Sequence, residues 1–157
     1  MTDYKMILET LKYFDEKHDI TLLSNTSALL NEYMDNINWV GFYILDKDTL
    51  YLGPFQGKVA CTEIKVGNGV CGTCIKNEDT IIVENVHEFP GHIACDSASN
   101  SEICVPLYNK DNILYGLLDI DSPLLSRFNN EDKIALEEIA KEIGVRLNGC
   151  NWKSRTC

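Results

Sequence analysis

The sequence predicts a single α+β domain in which helices flank a mostly antiparallel central sheet. Hydrophobic residues recur at helical spacing near both ends of the chain, whereas β-forming runs separated by short turns fill the middle. The 157 residues, 45% of them hydrophobic, also suit one domain with a sizeable core. We expect N-terminal helices over about 3–36, the sheet and its loops over about 38–122, and a C-terminal helix over about 130–147.

Two helices are predicted before the sheet, and they should pack together. The apolar stripe of the first consists of Tyr4, Ile7, Leu8, Leu11 and Phe14. The looser stripe of the second consists of Ile20, Leu23, Leu30, Tyr33, Met34 and Ile37. The helix predicted after the sheet has apolar positions at Ile134, Leu136, Ile139, Ile143 and Leu147.

The residue pattern in the middle of the chain predicts mainly β-strands. Residues 38–45 and 50–55 are two β-forming runs on either side of the turn at 46–48, which predicts a β-hairpin. The remaining predicted elements are a short strand over 61–66, a short helix near 70–76, a strand over 80–84, and two strands over 103–108 and 113–121 joined by a turn. No internal repeat or linker interrupts them, so we expect one domain.

Charge and composition narrow the class of protein. A net charge of −10, without a local cluster of Lys and Arg, argues against nucleic-acid and anionic membrane partners. With no apolar run of about 18 residues and no signal-peptide pattern, we expect a cytoplasmic protein without a membrane span. The seven cysteines should therefore start as thiols, so a disulfide would be transient rather than structural.

A long loop is predicted over residues 89–102, with the thiol of Cys95 at its centre. An arbitrary free cysteine is most often a packed, buried side chain. Here the neighbours are small and polar, which favours an accessible and reactive thiol. Asp96 opposes a lowered pKa of this thiol, whereas His92 would favour it if it lay close and were protonated.

Three acids are candidates for a pocket. Asp119 and Asp121 are two residues apart on a predicted strand, so their side chains share one face. They either cap the turn at Ser122 and Pro123 or line a pocket, and the local sequence leaves both open. Glu102, at the start of the preceding strand, could reach their level in an antiparallel pair. Converging acids raise one another's pKa, so one could stay protonated and act as a general acid.

Such a pocket suits a substrate with an ammonium group and an oxygen that needs a proton, and a free amino-acid sulfoxide has both. Trp39 and Tyr43 are four residues apart on one predicted strand, so they share a face and could enclose an S-methyl group. The alternative is that they are ordinary core aromatic residues.

Other cysteines could act as partner thiols. Attack on a sulfoxide leaves a sulfenic acid, which a nearby thiol such as that of Cys61 or Cys71 resolves most simply. Cys71 and Cys74 form a CxxC at a predicted helix N-terminus, where the first thiol could be acidified. A single CxxC predicts no zinc site, and Cys104 is expected to be a packing residue. We assign no role to the cysteines of the C-terminal tail.

Several separate motifs lie between residues 38 and 139, about two thirds of the chain. They are NWVGFY at 38–43, LGPFQGK at 52–58, AC at 60–61, GVCGT at 69–73, VH at 86–87, FPGHIACDSASNSE at 89–102 and LDIDSP at 118–123. Together they resemble the free methionine-(R)-sulfoxide reductases, whose fold is that of a GAF domain. These combined motifs are similar to the catalytic branch of GAF domains rather than the sensory one.

The resemblance implies roles for three cysteines. Cys95 corresponds to the nucleophile that takes oxygen from the sulfoxide, and Cys61 to the thiol that forms a disulfide with it. Cys71 corresponds to the family's third cysteine, which substitutes for Cys61 or relays the disulfide. Cys74 departs from the family pattern, so it is either a packing residue or a competing partner of Cys71.

The resemblance also implies a substrate site. Trp39 and Tyr43 match the aromatic side of the pocket. Glu102, Asp119 and Asp121 match the acids that hold the substrate and supply the proton. We place Glu102 and Asp121 at the sulfoxide oxygen and Asp119 at the amino group.

The activity implied by the resemblance is reduction of free L-methionine (R)-S-oxide through a sulfenic acid and an intramolecular disulfide. Thioredoxin, linked to NADPH, would recycle the enzyme, with no bound metal or organic cofactor. A homodimer through the helical layer is compatible with the fold. Two alternatives stay open: a non-catalytic ligand-binding or redox-sensing GAF module, and a general dithiol oxidoreductase that uses Cys71 and Cys74.

Overall fold

The computed structural model describes residues 1–92 and 97–149, and within them the fold is α+β, as predicted. Its helices are α1 (Tyr4–Lys12), α2 (Asp19–Tyr33), α3 (Gly69–Asn77) and α4 (Asn130–Gly144), with a short 3-10 turn at Val86–Glu88. Its strands are β1 (Trp39–Asp46), β2 (Thr49–Gln56), β3 (Glu63–Lys65), β4 (Ile81–Val83), β5 (Ser101–Tyr108) and β6 (Leu114–Ser122). None of the helices in these residues has the length and apolar character needed to cross a bilayer.

The six strands form one sheet in the order β3-β2-β1-β6-β5-β4, and every pair in it is antiparallel. The predicted hairpin is present as β1 and β2, and the last predicted strand pair as β5 and β6. The strands β1 and β6 lie at the centre, so residues at their ends are covered on both sides. Because β1 and β6 are antiparallel, the end of β6 that carries the acids lies beside the start of β1.

One face of the sheet is covered by α1, α2 and α4. Side chains alternate along β5, so Ile103, Val105 and Leu107 point to this face and are almost completely buried. They meet Leu136, Ile139 and Ile143 of α4 and apolar residues of α1 and α2 in one core cluster. Burial of this apolar surface is the main stabilising contribution on this side.

The stripe predicted for α2 is partly wrong. Ile20 and Tyr33 are 51% and 42% exposed, whereas the small residues Thr26 and Ser27 are fully buried. Ser27 donates hydrogen bonds to the carbonyl groups of Leu23 and of Pro54 in β2. Small side chains thus let this helix approach the sheet closely. Ile134 of α4 is likewise 54% exposed, because it lies on the side of that helix that faces away from the sheet.

A largely buried ion pair lies at the start of α4 on this face, and a hydrogen bond links it to α1. Asn129 and Asp132 form a capping box at the start of α4. Arg127 lies 3.2 Å from both carboxylate oxygens of Asp132, and the Tyr4 hydroxyl donates to Asp132 from α1 at 2.5 Å. A buried carboxylate here has a cation and several hydrogen-bond donors, as buried charge normally requires.

The opposite face of the sheet is covered by α3 and by the segments around β3 and β4. A second core cluster lies here, and it contains Trp39, Tyr43, Leu117 and Cys104 from the sheet together with Val70, Cys71, Cys74 and Ile75 from α3. This smaller layer leaves part of the sheet accessible, and a cleft lies over that part.

Candidate active site

A cleft opens between α3 and the sheet at the end where β1, β5 and β6 meet. Six residues predicted from the sequence line it, namely Trp39, Tyr43, Cys71, Glu102, Asp119 and Asp121. The others in its lining are Val59, Ala60, Ile64, Asn68, Gly69, Val70, His92 and Ser99. Residues far apart in the chain thus share one concave surface, which is the usual form of a small-molecule site.

Strand register explains why the acids come together. Glu102 of β5 lies opposite Asp121 of β6, and Asp121 in turn lies opposite Trp39 of β1. In the next row, Asp119 lies between Cys104 of β5 and Gly41 of β1. Directly opposite residues of antiparallel strands point to the same face. The pairing predicted for the three acids is therefore observed.

Glycine at position 41 permits close packing beside this row. A Cβ atom there would collide with Cβ of Phe55, which lies opposite on β2. Phe55 also stacks on Trp39, with ring centroids 5.2 Å apart. The absence of a side chain at Gly41 thus allows β2 to bring this ring against the aromatic wall of the cleft.

The helix α3 brings a thiol onto the acids. Cys71 lies in its first turn, and its Sγ is 3.8 Å from Oε2 of Glu102 and 3.6 Å from Sγ of Cys104. A Cβ atom at Gly72 would contact the carbonyl oxygen of Lys65 at 2.5 Å, so glycine allows the helix to lie close to β3.

Cys104 is a fully buried member of the second core cluster, as predicted, and it also contacts two of the acids, which was not predicted. Its Sγ lies 3.6 Å from Oε2 of Glu102 and 3.3 Å from Oδ1 of Asp119, directly beneath the residues that line the cleft. The period-two rule carries the signal that could have found it, because Cys104 is two residues after Glu102 on the same strand. Its apolar neighbours Ile103 and Val105 suggested a core position for Cys104, but their side chains point to the opposite face of the sheet.

The environment keeps Glu102 protonated to unusually high pH. Burial is the main cause of its raised pKa, and the negative charges of Asp119 and Asp121 raise it further. Burial also raises the pKa of Asp119, although hydrogen bonds from Glu102 and the two thiols act in the opposite direction. The site therefore contains a carboxyl group that can donate a proton, as expected of converging acids in a desolvated cleft.

The buried thiols are not activated. A hydrogen bond from Cys104 lowers the pKa of Cys71, but burial and the charges of Asp119 and Asp121 outweigh it and raise the pKa to about 12. Burial likewise raises the pKa of Cys74 and of Cys104. The helix N-terminus, which could have acidified Cys71, does not do so, because the adjacent carboxylates and the loss of solvent have the larger effect.

Trp39 and Tyr43 are at once core residues and part of the cleft wall. They are 3% and 2% exposed, and their rings stack with centroids 6.0 Å apart. The Trp39 indole N–H donates to the carbonyl of Lys58 at 3.1 Å, and the Tyr43 hydroxyl donates to the carbonyl of Cys61 at 2.9 Å. The two aromatic residues therefore also hold the segment that carries Cys61.

Of the two cysteines predicted to form the disulfide, the structure describes Cys61 but not Cys95. Cys61 is disulfide-bonded, whereas Cys71, Cys74 and Cys104 are free thiols. Cys95 lies outside the described residues, so its role and its predicted pairing with Cys61 stay predictions.

The described ends of the predicted loop carry groups that the sequence analysis did not assign to the cleft. His92 lines the cleft, and burial followed by the proximity of His87 lowers its pKa. Ser99 is buried and accepts a hydrogen bond from the side chain of Asn38. Asn100 donates from its side chain to the carbonyl of Pro123, which ties the loop to the residues after β6. Asn100 thus anchors the chain just before Glu102.

Comparison with known proteins places the chain in a family. The GAF domain family profile matches residues 20–147. Free methionine-R-sulfoxide reductase of Escherichia coli is 53% identical over 134 residues, which are 85% of this chain and 81% of that protein. The enzyme of the same name from Saccharomyces cerevisiae is 47% identical over 128 residues, 77% of this chain and 71% of the relative.

A solved structure agrees with these sequence relatives. The structure of the reduced form of fRMsr from Staphylococcus aureus superimposes with a TM-score of 0.89 at 49% identity. The match covers 94% of this chain and 96% of that one. The chain therefore belongs to the free methionine-R-sulfoxide reductases, a family of enzymes built on the GAF domain.

Proposed function

We propose that this protein reduces free L-methionine (R)-S-oxide to L-methionine. The observation that carries the proposal is the buried carboxyl group of Glu102, whose raised pKa keeps a proton available beside two further acids in an aromatic-walled cleft. Reduction of a sulfoxide requires a proton on the departing oxygen, and such a group can supply it. Membership in the reductase family supports the same reaction.

The cleft offers complementary groups for the ammonium group, the sulfoxide oxygen and the S-methyl group of this substrate. Asp119 would pair with the ammonium group, while Glu102 and Asp121 would lie at the sulfoxide oxygen. Trp39 and Tyr43 would contact the S-methyl group through their faces. The low polarity of this buried site strengthens each of these electrostatic contacts.

The redox step would use two cysteines. The thiol of Cys95 attacks the sulfoxide sulfur while the oxygen takes up a proton. The oxygen then moves to the Cys95 sulfur as the old sulfur–oxygen bond and the new sulfur–sulfur bond break, so that methionine leaves and Cys95 is a sulfenic acid. The thiol of Cys61 then attacks this sulfenic acid, so that a disulfide forms and water is released. The disulfide-bonded state of Cys61 supports its part in this step.

Recycling would need an external dithiol. Thioredoxin, reduced by NADPH, would exchange thiols with the disulfide and restore both cysteines, without a bound metal or organic cofactor. The high pKa of Cys71 makes this thiol a poor attacking group, which favours Cys61 over Cys71 as the resolving residue. The homodimer through the helical layer stays a prediction.

The dithiol oxidoreductase alternative has little support. Such an enzyme needs an exposed first thiol with a lowered pKa, whereas Cys71 is buried with a raised pKa. Cys74 is fully buried and its pKa is raised as well. The ligand-binding module differs from the reductase only by its lack of turnover, so turnover is the property to measure.

The test is NADPH consumption coupled through thioredoxin, with the R and S forms of free methionine sulfoxide supplied separately. We expect consumption with the R form alone, none with Cys95→Ser, and an unchanged rate with the control Cys74→Ser. Cys61→Ser should complete one round, seen as one methionine per chain, and then stop. Full single-round activity in Cys95→Ser would exclude this thiol as the nucleophile, and no activity in the unaltered protein would favour the ligand-binding module.

A further inference from the structure

Four donor side chains from three elements meet at the floor of the cleft. Cys71 of α3, Glu102 and Cys104 of β5 and Asp119 of β6 each offer one atom, and these atoms all lie within 4.8 Å of one another. All four residues are buried. The proposed reaction needs the two acids here but gives no role to Cys104.

The spacing of these atoms is that of the corners of a small tetrahedron. The two sulfur atoms are 3.6 Å apart, and the three sulfur–oxygen distances given above are 3.3, 3.6 and 3.8 Å. A tetrahedral zinc ion, with bonds of about 2.3 Å to sulfur and about 2.0 Å to oxygen, has sulfur–sulfur edges of about 3.8 Å and sulfur–oxygen edges of about 3.5 Å. The cluster thus has zinc-site dimensions with only small adjustments.

The charge around the cluster also favours a cation. Among the ion pairs formed by the described residues, none includes Glu102 or Asp119, whereas the buried Asp132 on the other face has Arg127. Apart from the hydrogen bond between the two carboxyl groups themselves, their side-chain donors are thiol groups, which are weak donors. A buried carboxylate stays ionised only where it pairs with a cation or coordinates a metal, so a bound metal would supply the counter-charge that this cluster lacks.

We infer that the floor of the cleft binds a soft divalent cation such as zinc through Cys71, Glu102, Cys104 and Asp119, and that this cation excludes the substrate. Thiolate ligands select zinc, cadmium or cobalt over magnesium and calcium. The two thiols, and the carboxyl group of Glu102, would release their protons to solvent as the bonds to the metal form. The metal would enter from the cleft, which Cys71, Glu102 and Asp119 line.

Binding of the metal does not depend on the proposed function, but exclusion of the substrate does. The cation would occupy the place where the ammonium group and the sulfoxide oxygen are held, since Glu102 and Asp119 serve both ligands. Zinc and free methionine sulfoxide should therefore compete.

Binding is tested first, on the full chain reduced with a phosphine that is then removed. Cobalt(II) should bind once per chain, with the intense visible bands of a tetrahedral site and a thiolate-to-cobalt charge-transfer band, and zinc should displace it. A folded, reduced protein that shows no thiolate-to-cobalt band would overturn the inference.

Two matched cysteine variants locate the site. Cys104→Ser should weaken zinc binding by at least about 10- to 100-fold, the loss typical even of residues that only support a metal ligand. Cys74→Ser replaces a thiol that is just as buried but outside the cluster, and it should bind zinc as the unaltered protein does. Circular dichroism checks that each variant is folded. If Cys104→Ser does not fold, Glu102→Gln removes a different ligand of the proposed site and provides the same test.

The same variants would also reveal a metal that binds at other cysteines. A cobalt–thiolate band that survives in Cys104→Ser and Glu102→Gln but disappears in Cys61→Ser would assign the metal to the loop thiols and overturn the inference.

Competition is measured without thioredoxin, which has thiols of its own. One equivalent of zinc should slow the single-round oxidation of the reduced protein by the sulfoxide, and a chelator should restore it. Binding without any slowing would refute exclusion of the substrate. Metal binding in a protein that never turns over would leave the site intact and refute the proposed function instead.

Discussion

The two faces of the sheet treat a buried carboxylate in opposite ways. On the helical face, Asp132 has the guanidinium of Arg127, the hydroxyl of Tyr4 and the backbone N–H of Asn129. On the cleft face, Glu102 and Asp119 lie beside one another and two thiols. The first arrangement stabilises the fold, whereas the second raises the pKa values of its own acids. The unfavourable electrostatic interactions between buried acids are thus concentrated at the candidate active site, where shifted pKa values are needed for the reaction.

The largest expected effect comes from removing the acidic proton on the cleft face. Glu102→Gln keeps the shape of the side chain but cannot act as an acid, so it should lower the rate of sulfoxide reduction by about 10²- to 10⁴-fold. Single-turnover kinetics, together with substrate binding by calorimetry, would separate this loss from a loss of affinity. An unchanged rate would remove Glu102 from the proton-donor role.

The matched change on the helical face should affect stability instead. Asp132→Asn leaves the largely buried Arg127 without its counter-ion, and loss of one partner of a buried ion pair typically costs about 3–5 kcal/mol of the free energy of unfolding. Urea unfolding would measure it, and the rate per folded molecule should stay that of the unaltered protein. If reduction slowed as strongly as in Glu102→Gln, the functional separation of the two faces would be wrong.

The smallest effect is a pH dependence of stability that belongs to the cleft face. The pKa of Glu102 is raised in the folded state above its ordinary value of 4.5, so its stabilising contribution is complete below that value and is lost as pH rises toward the raised pKa. Each pH unit should cost about 1.4 kcal/mol or less. Unfolding free energies from about pH 5 to about pH 8 should fall more steeply for the unaltered protein than for Glu102→Gln. Parallel curves would contradict the raised pKa.

Local pattern was enough to predict much of the sheet and the shared face of the acids. A period of two residues places Asp119 and Asp121 together, and antiparallel pairing across a short turn brings Glu102 to their level. The same rule puts Trp39 and Tyr43 on one face. These predictions succeed because side-chain direction in a strand depends only on position along it.

The helices and cysteines show where local pattern fails. Ile20 and Ile134 fit an apolar stripe but are exposed, because the contact surface of a helix depends on what packs against it. The CxxC pattern left open an acidified Cys71, yet the carboxylates that raise its pKa, Asp119 and Asp121, are 48 and 50 positions away in the chain. No short window of sequence contains those neighbours.

The sequence by itself determined the α+β class, the strand order along the chain, the candidate acids and the family, since these follow from residue type and spacing. Only the tertiary structure decided which side chains share the floor of the cleft and which of them are protonated. Cys104 became part of the site because β5 pairs with β6 and α3 lies over both. The pKa values followed, because desolvation and charge proximity are properties of the folded surroundings rather than of the residue.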